Sequence, residues 1–204
     1  MPRAGQPRSP VRKVNALEPV LISAVVVALA EIGDRTQLLA IVLASRFRKP
    51  WPVIAGILVA TLANHGLSAL AGYLISDLLH GRWLQYLVAA SFFATAAWAL
   101  IPDKEDEAPG EVSRWGAFVA TAVAFFLVEM GDKTQIATVS LAARFHDVIR
   151  VAAGTTAGMM LANIPAVFFG EAATRIVPLK YIRIVAALIF ASLGVWTLYS
   201  MMRG

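Results

Sequence analysis

Two heptapeptides decide how this chain folds: Glu31-Ile32-Gly33-Asp34-Arg35-Thr36-Gln37 and Glu129-Met130-Gly131-Asp132-Lys133-Thr134-Gln135. Each interrupts apolar sequence. Val20 to Ala30 and Leu38 to Ala44 flank the first; Trp115 to Val128 and Ile136 to Ala143 flank the second. No flanking run alone supplies the roughly 20 apolar residues that cross a bilayer, whereas each joined segment does. The charged heptapeptides are therefore expected near the middle of a membrane. The alternative is a pair of soluble amphipathic helices with an exposed turn in each.

The remaining sequence favours the membrane. Of 204 residues, 58% are hydrophobic and 15% charged, against about 25% charged in an average soluble domain. Trp51 to Ile75, Leu84 to Ile101, Val151 to Gly170 and Tyr181 to Met202 are further long apolar runs. The expectation is an all-α integral membrane protein of about six transmembrane helices. Residues 1–17 are basic and Pro-rich and are expected to be a disordered tail. The apolar run after them imitates a signal peptide but belongs to a repeat, so it is expected to be retained. A net charge of +5 does not point to nucleic acid, because the basic residues are scattered between apolar runs and not gathered on one stripe. Without cysteine, disulfides, thiolate metal sites and cysteine nucleophiles are excluded.

The chain is internally duplicated. Glu129 follows Glu31 by 98 positions, and the same offset matches Leu43-Ala44-Ser45-Arg46-Phe47 with Leu141-Ala142-Ala143-Arg144-Phe145. It also matches Gly56 with Gly154, Gly72 with Gly170, Phe92 with Phe190 and Trp98 with Trp196. The Leu-Ala-Asn tripeptides ending at Asn64 and Asn163 align only if one residue is inserted. Residues 18–101 thus form a first three-helix repeat and 115–204 a second, with an acidic linker at 102–114. An odd number of spans per half makes the two repeats inverted, the design of secondary transporters with a site between the halves. Duplication for packing alone is the alternative. Basic residues divide evenly between the two sides. The basic tail tips the orientation toward both termini cytoplasmic.

Ionisable groups inside a membrane are functional-site candidates by default. In a continuous helix Glu31 and Asp34 share a face, as do Glu129 and Asp132, and Gln37 and Gln135 extend it. Local unwinding at Gly33 and Gly131 would add the hydroxyls of Thr36 and Thr134. Arg35 and Lys133 lie four residues after a Glu, so each is expected to balance an acid of its own helix. Four acids and two bases sum to −2, the match for one divalent cation. Hard oxygen donors suit Ca²⁺, Mn²⁺ or Mg²⁺ better than Zn²⁺ or Cu⁺. Met130 and His65 are the softer groups nearby, read as packing and as a satisfied polar contact. Asn64 and Asn163 are expected to bond between helices, with lining the ion path as their other role, and Pro165 to kink its helix.

Carboxylates shielded from water favour the protonated form, so one site can exchange a metal ion for protons. The implied class is a cation/proton antiporter whose partners are a divalent cation, protons and the bilayer, with no bound cofactor. No Gly-rich phosphate loop suggests nucleotide-driven pumping. Three readings compete with it: salt bridges that only lock helices, a membrane-embedded hydrolase using the acids as general acid and base, and an exporter of small organic solutes. No nucleophile accompanies the acids, and an organic solute calls for fewer paired carboxylates.

At these motifs the chain resembles the GDT-one family, formerly uncharacterised protein family sixteen. That family carries Glu-hydrophobic-Gly-Asp-(Lys/Arg)-(Thr/Ser) twice, and both copies here match at every position, from Glu31 to Thr36 and from Glu129 to Thr134. The resemblance runs from about Glu18 onward and leaves the basic tail outside. It implies six spans in two inverted halves and transport of Mn²⁺ and Ca²⁺ against protons. By that resemblance Glu31, Asp34, Glu129 and Asp132 are the cation-binding acids. The two-repeat chain looks like the bacterial members, for which Mn²⁺ export across the inner membrane is the commoner assignment.

Overall fold

Long apolar segments in a bilayer must satisfy their backbone internally, which leaves the α-helix as the economical solution. The computed structural model describes residues 17–79, 82–101, 116–170 and 179–203. These residues form eight helices and no strand: α1 (Glu18–Glu31), α2 (Arg35–Phe47), α3 (Pro50–Leu78), α4 (Arg82–Ala99), α5 (Ala117–Glu129), α6 (Lys133–Phe145), α7 (Val148–Phe169) and α8 (Leu179–Arg203). The expected basic tail, apart from Leu17, and the acidic linker lie outside the described residues.

The helices differ in reach. Among the described residues, α3, α7 and the 183–203 part of α8 are long and apolar enough to cross a membrane. α4, with 18 residues, extends about 27 Å. α1, α2, α5 and α6 have 13 or 14 residues each, roughly 20 Å, and are too short to cross singly. Proline in the first turn starts α1 and α3, where its missing N–H costs nothing. α2 and α6 end alike on left-handed residues, Arg48 (φ 52°) and His146 (φ 51°), whose N–H groups return to Ala44 O and Ala142 O. α7 continues through Pro165 to Phe169.

The sequence duplication reappears as duplicated packing. α3 and α7 lie against each other, α3 packs on α5, and α7 packs on α1. A Cβ at Gly56 would come within 2.7 Å of Phe118 O and 2.8 Å of Thr121 Cβ. At Gly154 it would come within 2.5 Å of Val20 O and 2.9 Å of Ser23 Cβ. Phe118 and Thr121 follow Val20 and Ser23 by the same 98 positions. Each half's opening helix is thus clasped by the other half's long helix. α4 and α8 pair with each other, α4 against α6 and α8 against α1. The apolar core has two parts. One surrounds Phe92, Leu141, Val151 and Phe190; the other surrounds Leu39, Ile57 and Phe125. Leu67, Leu127, Leu161 and Leu188 point outward while Glu31, Asp34, Glu129 and Asp132 are buried, the reverse of a water-soluble surface.

Candidate functional site

Both heptapeptides break their helix at the same place. α1 ends on Glu31, Ile32 is extended, Gly33 takes φ 76°, and Asp34 is the extended N-cap of α2. In the second copy Glu129 ends α5, Met130 is extended, Gly131 takes φ 80°, and Asp132 caps α6. Positive φ is the conformation that glycine adopts without a steric penalty. The side-chain amides complete each break: Gln37 Oε1 accepts from Gly33 N at 2.9 Å and Gln135 Oε1 from Gly131 N at 2.7 Å. The shared face expected of a continuous helix is therefore corrected. Each Glu closes one helix and each Asp opens the next, next to the positive end of that helix dipole.

The charges cross between the halves. Lys133 Nζ lies 2.6 Å from Asp34 Oδ1, and an Arg35 guanidinium nitrogen lies 3.6 Å from Asp132 Oδ1. Arg35 also donates to Val128 O at 3.0 Å. The expectation that each base balances an acid of its own helix is corrected by these pairs. The break at glycine removes the four-residue register and turns both bases toward the opposite repeat.

The glutamates are held differently. Thr36 Oγ1 donates to Glu31 Oε1, which also accepts from Asn163 Nδ2 at 3.3 Å. Thr134 Oγ1 donates to Glu129 Oε2 at 3.1 Å. Glu31 Oε2 and Glu129 Oε1 have no hydrogen-bond partner among the described residues. All four acids are at most 1% exposed. The negative charges of Glu129, Asp34 and Asp132 bear on Glu31, and those of Asp132 and Asp34 bear on Glu129. The four acids thus lie within electrostatic reach of one another and of the two bases, Lys133 acting on Glu31 and Arg35 on Glu129. Among the described residues no three His, Asp or Glu side chains stand close enough to enclose an ion.

The two asparagines part company. Asn163 reaches Glu31 and also bonds Met159 O at 3.1 Å and Met159 Sδ at 3.0 Å. Asn64 Nδ2 donates to Phe126 O at 3.0 Å, the interhelical role expected of it. His65, read from sequence as a satisfied contact, is fully buried, and neither ring nitrogen has a partner among the described residues. The Leu-Ala-Asn match, which needs an insertion, pairs Asn163 with Asn64. The unbroken offset from Gly56/Gly154 to Gly72/Gly170 sets His65 opposite Asn163. Met130 is 57% exposed and turned away from the acids. A cavity of about 420 Å³ lies off the motifs, lined by Glu18, Ser76, Gln85, Arg144, His146 and Thr197 among others.

An apolar exterior around a buried, twice-built cluster of carboxylates and bases is the construction of a cation-transporting membrane protein. The chain belongs to the divalent cation/proton antiporter GDT1 family, whose model matches residues 19–107 and 117–204, one match per repeat. This is a family of transporters and not of enzymes. The chain is 46% identical to the "Putative manganese exporter" of Vibrio cholerae serotype O1, over 94% of this chain and 96% of that protein. It is 31% identical to GDT1-like protein sll0615 of Synechocystis, over 84% and 93% respectively. To GDT1-like protein 5 of Arabidopsis thaliana it is 23% identical, over 83% and 90%. No solved structure matches the chain.

Proposed function

We propose that this chain exports Mn²⁺, with Ca²⁺ as a second substrate, in exchange for protons across the bacterial inner membrane. The Vibrio cholerae relative named for manganese export supports the choice of ion. Six spans are assigned as α1–α2, α3 and α4 in one half and α5–α6, α7 and α8 in an inverted second half, with both termini cytoplasmic. The carrying observation is the crossed pairing at the helix breaks. Asp34 and Asp132 are each paired with a base from the other half, and among the described residues Glu31 and Glu129 have no direct ion pair, Lys133 and Arg35 acting on them only from farther off. Two such carboxylates balance one divalent ion when ionised and two protons when neutral. The exchange is therefore assigned as one metal ion against two protons at a site between the halves.

Glu31 and Glu129 supply the exchanging oxygens, and Asp34 and Asp132 complete the donor set as the crossed pairs loosen. Thr36, Thr134, Gln37 and Gln135 hold the breaks open and present further oxygens. Inside-out vesicles with an acidified lumen should take up Mn²⁺, and their lumen should become more alkaline as they do so. Glu31→Gln together with Glu129→Gln should abolish both signals. Uptake at the wild-type rate in that double variant overturns the assignment.

A further inference from the structure

An imidazole shut away from water with both nitrogens unbonded is an expensive thing to keep. Burying a polar group without a partner costs a few kcal/mol, and native interiors hold few such groups. His65, 0% exposed on α3, has neither ring nitrogen hydrogen-bonded among the described residues. It stands 98 positions before Asn163, nine residues beyond Gly56 as Asn163 is nine beyond Gly154. The matched contacts of Gly56 on α5 and Gly154 on α1 show that the two helix pairs cross in the same register. In one half that register delivers the Asn163 amide to Glu31 Oε1. In the other, the Asn64 bond to Phe126 O pins α3 beside α5 one turn before Glu129. There Glu129 Oε1 has no hydrogen-bond partner among the described residues.

We propose that His65 is a nitrogen ligand of the transported ion, approaching from the Glu129 side as Asn163 approaches from the Glu31 side, and that it selects a first-row transition metal over Ca²⁺ and Mg²⁺. This deepens the transport reading and rests on it. A neutral imidazole offers one lone pair and keeps its other nitrogen as a donor. Ca²⁺ and Mg²⁺ take oxygen ligands, whereas a mixed nitrogen and oxygen set is acceptable to transition ions, Mn²⁺ among them. The other half carries an amide at this position, so the site has one nitrogen donor and not a symmetric pair.

Mn²⁺ itself is the probe. Pulsed electron paramagnetic resonance on the purified full-length protein with Mn²⁺ should show ¹⁴N coupling to the ion. The coupling should vanish in His65→Asn, which installs the other half's residue, and in His65→Gln. In proteoliposomes the preference for Mn²⁺ over Ca²⁺ should fall in both variants by at least the roughly tenfold that loss of even an outer-shell metal partner costs. Wild-type protein without ¹⁴N coupling overturns the proposal whether or not the variants fold. So does coupling that survives both substitutions, or an unchanged ion preference. If the wild type moves neither ion in vesicles the transport reading falls, while the spectroscopy still decides whether His65 binds metal.

Discussion

Asp34 with Lys133 and Asp132 with Arg35 are equivalent pairs by sequence, but their surroundings differ. Lys133 and Asp34 are both buried at 2.6 Å, whereas the Arg35 side chain is 29% exposed and 3.6 Å from Asp132. Removing one member of a tight buried pair strands a charge at a cost of about 3–5 kcal/mol, and the longer, half-buried Arg35–Asp132 pair is worth less. Lys133→Met should therefore lower the melting temperature more than Arg35→Met in the same detergent. Adding Asp34→Asn to Lys133→Met should recover much of the loss, because the buried Asp34 charge is removed together with its Lys133 partner. Equal losses for the two single variants would show that the pairs are energetically alike. The six charged residues were legible as a candidate site because charge inside apolar sequence has no solvation to explain it. Their partners were not, because the four-residue rule assumes an unbroken helix, and these helices break between Glu and Asp.

At the scale of the elements, glycine performs two tasks with different energetics. Gly131 sits at φ 80° with no neighbouring atom within 4 Å of an added Cβ, so substitution there meets only backbone strain. Gly131→Ala should cost roughly 1–2 kcal/mol, and Gly131→Asn less, since asparagine visits this region more readily. Differential scanning fluorimetry should rank them in that order. Gly154 serves close approach instead: a Cβ would press on Val20 O at 2.5 Å. Gly154→Ala should push α7 off α1 at a cost of about 1–3 kcal/mol. Gly66 supplies the control, lying in α3 with open space around it. Gly66→Ala should be neutral or stabilising by up to about 1 kcal/mol. A melting temperature lowered as much by Gly66→Ala as by Gly154→Ala would remove close packing as the reason for the glycine. Both breaks were foreshadowed by Gly33 and Gly131 between paired acids, whereas the clasp at Gly56 and Gly154 depends on which helices meet, which no single segment records.

Across the whole molecule the offset of 98 residues carries further than residue identity does. It relates Gly56 on Phe118 to Gly154 on Val20, and Arg48 to His146 as matched left-handed helix ends. At one point identity and offset disagree: the Leu-Ala-Asn match pairs Asn163 with Asn64, and the offset pairs it with His65. Yet the symmetry is incomplete, since α4 and α8 rest together against α6 and α1. If the halves are inverted, equivalent helix starts must face opposite sides of the membrane. Lys49 precedes α3 and Arg150 lies in the first turn of α7, both exposed. The chain has no cysteine, so Lys49→Cys and Arg150→Cys each provide a single label. On intact cells a membrane-impermeant maleimide should modify Lys49→Cys and spare Arg150→Cys, and permeabilised cells should label both. Labelling of both from outside would refute the inverted six-span arrangement. Labelling of Arg150→Cys alone would keep the inversion and reverse the orientation, putting the termini outside, while the direction of exchange would still follow the proton gradient.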